Sequence, residues 1–197
     1  QSENLTQRRT RFGILPNIDG LNMESAIEKE PITVVYSAMG WIRAMRGHID
    51  LGSKLKFRDG DKENIMFHAY STDKILAICS NGRCYTLLAD ALPGGRGLGE
   101  PIRIMIELPK GYEIVSLVLS RINKKLLIAS DVGNGFIVAH EELLAQTRNG
   151  KQVLNLKPNQ TLSVCTSVDG DYVASLGDNG KLLVFPVSDL PEMSRGK

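Results

Sequence analysis

A chain of 197 residues, 42% of them hydrophobic, is long enough to bury one sizeable core, and it holds no run of about 18 apolar residues that could serve as a membrane span. The 24 Lys and Arg against 22 Asp and Glu leave a net charge of only +2, which excludes a basic tail that coats polyanions by bulk attraction; binding to a polyanion would have to come from local clustering. Cys79, Cys84 and Cys165 are an odd number set in apolar runs, which points to buried thiols in a reducing compartment. Such thiols make cytoplasm the natural reading, and the lack of a charged-then-apolar signal segment together with Gln1 at the start points to a fragment or a processed product.

Residues 1–30 lack the pattern that fills the rest of the chain. They carry a basic patch at Arg8, Arg9 and Arg11 and a stretch from Asn22 to Lys29 with some helical character, and they read as a linker or closing strand.

From Pro31 onward one unit recurs: an apolar β-rich run, a tight turn ending in glycine, a second β-rich run, then an arginine beside small residues. In the first repeat, about 31–73, Ile32–Tyr36 and Trp41–Ala44 flank Met39 and Gly40. In the second, about 74–124, Ile75–Cys79 leads into Ser80, Asn81 and Gly82, and Cys84–Leu87 leads out. Asn-Gly between two β-prone runs is the strongest short hairpin signal, because a type I′ turn needs φ > 0 at both central residues. The third repeat, about 125–170, places a longer turn, Asp131–Gly135, between Leu126–Ala129 and Phe136–Ala139. A partial fourth, 171–197, runs Tyr172–Leu176, then Asp178, Asn179 and Gly180, then Leu182–Val187. The turn glycines are Gly40, Gly82, Gly135 and Gly180; the arginines that follow, Arg46, Arg96, Arg148 and Arg195, recur roughly every 50 residues, a propeller-blade period.

Each full repeat is expected to contain a second hairpin, with turns at Phe57–Asp61, Leu108–Gly111 and Lys157–Gln160 ahead of strand-like runs at Ile65–Ala69, Ile114–Leu119 and Leu162–Thr166. Four strands per unit give an all-β, propeller-like fold of about three and a half to four blades, which must stack because one blade cannot bury both of its faces. The clearest helical stretch is Glu141–Ala145, with Glu141 and Glu142 as a solvated face.

Several runs carry a resemblance. Met39-Gly40-Trp41-Ile42-Arg43 with Arg46-Gly47-His48, Gly95-Arg96-Gly97-Leu98-Gly99-Glu100-Pro101, Ser130-Asp131-Val132-Gly133-Asn134-Gly135-Phe136, and Phe185-Pro186-Val187-Ser188-Asp189-Leu190-Pro191 with Ser194-Arg195-Gly196-Lys197 resemble, in order, the C-terminal domain family of the DNA topoisomerase IV A subunit. The resemblance implies a β-pinwheel, a propeller-like ring whose blades exchange strands and whose basic outer rim binds and bends double-stranded DNA. It also implies membership of an ATP-dependent type IIA topoisomerase that relaxes supercoils and decatenates chromosomes in the bacterial cytoplasm at the nucleoid, with peripheral membrane association left open. The A subunit would pair with a B subunit in an A2B2 holoenzyme. In that family ATP binds to the B protein, and magnesium and the catalytic tyrosine belong to another domain, so no cofactor and no catalytic residue is expected in this segment. The gyrase A C-terminal wrapping domain is the near relative, marked by a glutamine-arginine-arginine-glycine-glycine-lysine-glycine box. Gln7-Arg8-Arg9 is followed here by Thr10 and precedes the first blade, so it does not match.

The physics of backbone binding selects the residues. Phosphate contacts need exposed cations, and each neutralised phosphate releases counterions. Arg46, Arg96, Arg148 and Arg195 are the first candidates because each lies just past a hairpin; Arg43, Lys54, Arg103, Lys151 and Lys197 are secondary, and His48 is included for its place beside Arg46. Gly94, Gly95, Gly97 and Gly99 either let backbone amides approach phosphate or permit a tight crossing between blades; the run lacks the lysine-serine ending of a Walker loop. His48, His68 and His140 lack partners at metal-ligand spacing, Cys79 and Cys84 read as buried thiols, and Trp41 reads as core before base-stacking platform. A propeller serving as a protein-interaction scaffold is the alternative from another class.

Overall fold

The computed structural model describes residues 28–196. The basic patch at Arg8, Arg9 and Arg11, most of the Asn22–Lys29 stretch and Lys197 therefore lie outside the described residues. In chain order the elements are β1 (Pro31–Ser37), β2 (Trp41–Arg46), β3 (Glu63–Tyr70), β4 (Lys74–Cys79), β5 (Arg83–Leu88), β6 (Glu100–Pro101), α1 (Ile102–Met105), β7 (Ile114–Leu119), β8 (Lys125–Ser130), β9 (Gly135–Ala139), α2 (His140–Leu143), β10 (Lys151–Gln152), β11 (Leu162–Ser167), β12 (Tyr172–Leu176) and β13 (Leu182–Pro186).

The four expected hairpins all form: β1 with β2, β4 with β5, β8 with β9 and β12 with β13. Gly40, Gly82 and Gly180 take φ of +85°, +74° and +73°, the left-handed region their turns require. In the third hairpin the residue at positive φ is Gly133, at +84°, and not Gly135. Gly135 is the first residue of β9, paired with Ala129, where an added Cβ would sit 3.1 Å from the Ala129 Cβ.

The expected second hairpins do not form. The strands after the second turns, β3, β7 and β11, pair instead with the free edges of β1, β4 and β8. The opposite edge of each of the first three hairpins is taken by chain from the following repeat. β6, after the β4–β5 hairpin, pairs with β2, and β10, after the β8–β9 hairpin, pairs with β5. Residues after the β12–β13 hairpin return likewise to β9, where the Ile137 amide donates to the Pro191 carbonyl and the Met193 amide to the Ile137 carbonyl. The sheets are thus β3-β1-β2-β6, β10-β5-β4-β7, β11-β8-β9 and the pair β12-β13. This is a ring segment of strand-exchanging blades.

Two-residue periodicity divides the core. On β4, Ile75, Ala77 and Cys79 pack toward the first sheet with Val34, Tyr36 and Ile42, whereas Leu76 and Ile78 pack toward the third with Leu126, Ile128 and Phe136. A strand buried on both faces reads as a continuous apolar run, and Ile75–Cys79 is one, every residue of it fully buried. Each Leu or Ile so placed contributes about 1.5–3 kcal/mol relative to exposure. Burial raises the Cys79 and Cys165 thiols to about 12 and also pushes Cys84 up, so none of the three is a thiolate at neutral pH. The expected Glu141–Ala145 helix is one turn beginning at His140, and α1 is a second short turn with no counterpart among the sequence expectations.

Candidate nucleic-acid interface

The returning segments cross the outer strands near their turns. Gly99 and Gly150 lie against Ile42 and Cys84, the paired residues next to the turn in β2 and β5, and Gly196 lies against Phe136, one pair further from the turn in β9. A Cβ on Gly99 would meet the Ile42 carbonyl oxygen at 2.5 Å, one on Gly150 the Cys84 carbonyl oxygen at 2.8 Å, and one on Gly196 the Phe136 ring at 2.5 Å. Gly99 and Gly150 are at positive φ against neighbouring backbone, where only glycine fits; at Gly196 the Phe136 and Leu154 side chains fill the space a Cβ would need. Arg96, Arg148 and Arg195 stand three, two and one residues ahead of these glycines, so three of the four expected arginines recur close to the crossings on consecutive blades. All three are exposed.

Arg46 differs. It ends β2 opposite Ile32, a position matched in the second blade by Leu88 opposite Lys74, so it is a strand residue and not a member of the crossing series. It is exposed and follows Met45, whose Cγ would lie 2.8 Å from a Cβ on Gly95, so Arg46 and Arg96 flank the same close approach. The glycine run therefore divides in two. Gly95 and Gly99 permit the tight crossing, while among the described residues a Cβ on Gly94 would meet nothing within 4 Å and one on Gly97 only the Gly99 nitrogen at 3.9 Å.

The other candidates differ in how free their charges are. Arg43 is only 6% exposed; its Nη1 donates to the Gly97 carbonyl and its Nη2 to the Lys56 carbonyl, each at 2.8 Å, and burial lowers its pKa. It is a bracket between two loops and not a free cation. Arg103 is exposed, yet it donates to the Leu108, Pro109 and Tyr112 carbonyls. Arg148 donates to the Met105 carbonyl at 3.1 Å and to the Ile104 carbonyl, so both guanidinia fasten to the segment that follows β6, at different carbonyls. Arg195 grips the Asn155 Oδ1 through Nη2 at 2.6 Å, and the Lys151 ammonium stands 3.5 Å from Glu142. The His48 ring stacks on His68 at 4.5 Å between centroids and donates from Nε2 to the Ala69 carbonyl at 3.0 Å. Arg46, Lys54 and Arg96 have no side-chain hydrogen bond or ion pair among the described residues.

Two cations outside the repeat-based candidates join Lys54. Lys54, Lys56 and Arg58 are exposed and alternate with the half-buried Leu55 and Phe57, so one side of this segment carries three positive charges. The alternation Lys-Leu-Lys-Phe-Arg is the signal in the sequence, since residues two apart share a side in extended chain. Trp41 is neither sealed in the core nor a bare platform: it is half-buried, and the Arg58 guanidinium lies 3.5 Å from its ring centroid. Among the described residues no group of three or more His, Cys, Asp or Glu is placed to hold a metal ion, and no helix is long and apolar enough to cross a membrane.

A family model described as the DNA gyrase C-terminal domain, beta-propeller, matches residues 124–168 and 171–197. The A subunit of DNA topoisomerase 4 from Caulobacter vibrioides is 46% identical over 190 residues, covering 96% of this chain and 25% of that protein. Its counterpart from Escherichia coli K12 is 34% identical over 173 residues, covering 87% and 23%. The chain thus spans about a quarter of the length of the curated relatives it matches. Among solved structures, the E. coli ParC C-terminal domain superposes with a TM-score of 0.76 at 33% identity, covering 85% of this chain and 69% of that one. The DNA gyrase A C-terminal domain, at a TM-score of 0.57 and 18% identity over 85% of this chain and 58% of its own, shares the fold.

Proposed function

The chain belongs to the family of C-terminal domains of the topoisomerase IV A protein, and from that premise we propose that it is a double-stranded DNA-binding and bending module that engages the phosphate backbone along the outer edges of its blades. The observation that carries this reading is the recurrence of Arg96, Arg148 and Arg195 beside the glycine crossings of three consecutive outer strands. Cations repeated from blade to blade offer a long polyanion several contacts at once. A duplex that touches several of them must follow the rim, and curving a site of that size costs on the order of 1–6 kcal/mol, which the added phosphate contacts offset. The helices among the described residues are single turns of four residues, too short to lie in a major groove, so phosphate contact and DNA shape dominate over base readout.

In the complete enzyme this module would help capture and orient DNA for ATP-dependent strand passage, supercoil relaxation and decatenation. The A subunit would work there with the topoisomerase IV B subunit in an A2B2 assembly at the nucleoid in the bacterial cytoplasm. ATP and magnesium would act in the other domains of that assembly. The gyrase-type wrapping reading is the weaker one, because no glutamine-arginine-arginine-glycine-glycine-lysine-glycine run occurs in the chain.

The test is binding of the 197-residue chain to a linear duplex of about 40 base pairs across a salt series. A log-log slope corresponding to the release of several ions is expected. No binding at low salt, or binding indifferent to salt, would overturn the reading.

A further inference from the structure

Strand β2 has two unlike faces. Ile42 and Ala44 point into the core, whereas Trp41, Arg43 and Met45 carry loops: Arg58 stacks on Trp41, Phe57 and the Lys56 carbonyl meet Arg43, and Gly95 rests on Met45. One loop, 54–58, bears Lys54, Lys56 and Arg58; the other, 94–99, bears Arg96. They are far apart in sequence, and the guanidinium of Arg43 ties them together, one nitrogen on Lys56 and one on Gly97, with its carbon 5.4 Å from the Phe57 ring centroid.

A buried guanidinium is expensive to desolvate and is ordinarily paired with a carboxylate. Arg43 has none among the described residues; carbonyl oxygens take its hydrogen bonds. A planar fork can satisfy two carbonyls on separate segments at once, which a lysine ammonium on a flexible stem does far less well. A neutral side chain would avoid the desolvation cost and lose the tie.

Building on the DNA-binding reading, we propose that Lys54, Lys56, Arg58 and Arg96 form one continuous phosphate-binding surface on the first blade and that Arg43 is its positioning residue, holding the two cation-bearing loops in register without itself touching DNA. Arg43 thereby acts through geometry, and its charge alone does not substitute for the fork.

The deciding comparison is the parent chain, Arg43→Lys and Arg43→Met, each bound to a linear duplex across a salt series and each repeated in a background carrying K56A and R96A. Arg43→Lys, which keeps the charge, should weaken binding about threefold to tenfold in the parent background and by a clearly smaller factor in the K56A/R96A background, where only Lys54 and Arg58 remain to be positioned. Parent-like binding by Arg43→Lys, or an undiminished loss in the K56A/R96A background, would overturn the proposal. Amide exchange without DNA gives a second readout. Exchange should quicken at residues 56–58 and 97–99 in Arg43→Lys while β4 and β8 stay protected; unchanged exchange in those loops overturns the loop tie. If the parent chain fails to bind duplex at low salt, the DNA-binding reading falls, whereas parent binding with no Arg43 effect overturns only the positioning role.

Discussion

Arg121, in the turn between β7 and β8, closes its guanidinium on the carboxylate of Asp73, in the turn between β3 and β4, with Nη1 to Oδ1 at 2.8 Å and Nη2 to Oδ2 at 3.4 Å. The two turns occupy the same place in consecutive blades. One blade further on, Lys124 of the β7–β8 turn stands 3.6 Å from Asp169, which lies between β11 and β12. Ion pairs therefore join blade to blade where the chain passes from one sheet to the next, and they complement the strand exchange at the outer edges.

The two pairs should differ in worth. The Asp73 side chain is 14% exposed and also accepts a hydrogen bond from the Tyr70 amide, whereas Lys124 and Asp169 are 60% and 68% exposed. Arg121→Ala should cost about 1–2 kcal/mol, because it strips a largely buried carboxylate of its partner, and Lys124→Ala under about 0.5 kcal/mol. Urea unfolding of the two variants measures this. Burial by itself would raise the Asp73 carboxyl, but hydrogen bonds from Arg121 and the Tyr70 amide and the charge of Arg121 outweigh it and hold the group below its ordinary value. The stability it contributes is therefore present above the ordinary carboxylate range and is lost as pH falls through the depressed value. Equal costs for Arg121→Ala and Lys124→Ala would contradict this ranking.

Glycine substitutions should separate the positions with no room for a Cβ from one that has room, Gly94, whose backbone bridges Ala44. Gly99→Ala places a methyl 2.5 Å from the Ile42 carbonyl oxygen at a φ of +87°, and should cost about 2–4 kcal/mol. Gly94→Ala meets nothing within 4 Å and should leave the melting temperature within about two degrees of the parent. Thermal melts of both variants, with Gly150→Ala as a second crossing, provide the check. A crossing variant as stable as Gly94→Ala would mean that the outer strand and the returning chain can separate freely.

The hairpins are legible in the sequence because their information is local: an apolar run, a turn with glycine, and a second run lie within a dozen or so residues. The strand exchange is not legible from the residues, because β6 and β10 are two residues each, and their pairing with β2 and β5 is decided by which edge is vacant. Only the family resemblance supplies that expectation. Among the candidate cations, Arg96, Arg148 and Arg195 stand out through repetition, but nothing in the sequence distinguishes the buried Arg43 from the exposed Arg46 three residues later. Burial of Arg43 depends on carbonyls supplied by residues 13 and 54 positions away. Lys56 and Arg58 are readable from their alternation with apolar residues, but they belong to no repeat, so a search by period does not find them.

His140 should make the fold sensitive to mild acid. It is buried at the start of α2, its Nδ1 accepts from the Arg121 amide, and its Nε2 makes no hydrogen bond of normal geometry among the described residues. Burial, the largest cause, lowers its pKa, and Lys124 and Arg121 press the same way, against the Leu119 backbone and the charge of Glu141, which raise it. A folded state that binds its proton less readily than the unfolded chain loses stability as pH drops below the ordinary histidine value of about 6.5. Unfolding free energy measured from pH 7.5 to 5.5 should therefore decline in the parent more than in His140→Gln, whose amide oxygen can still accept from Arg121. Parallel declines in the two proteins would place the acid sensitivity elsewhere.

Arg96 and Arg148 should separate binding from stability. Both are exposed and both precede a glycine crossing, but the Arg96 side chain has no partner among the described residues, whereas Arg148 donates to carbonyls at the end of α1. Arg96→Ala should lower the salt slope of duplex binding by about one and leave unfolding unchanged, as loss of one phosphate contact requires. Arg148→Ala should lower the slope similarly but also cost about 1 kcal/mol of stability, because it leaves the Ile104 and Met105 carbonyls without that donor. The sharper measurement is the salt slope of the double variant. If both guanidinia reach phosphate, the two reductions add, and Arg148 holds its carbonyls and the duplex with different donors of the same fork. If Arg148 only fastens α1, the double variant binds with the slope of Arg96→Ala alone, and the rim's contacts at the second blade must come from Lys151 or from the exposed backbone beside it.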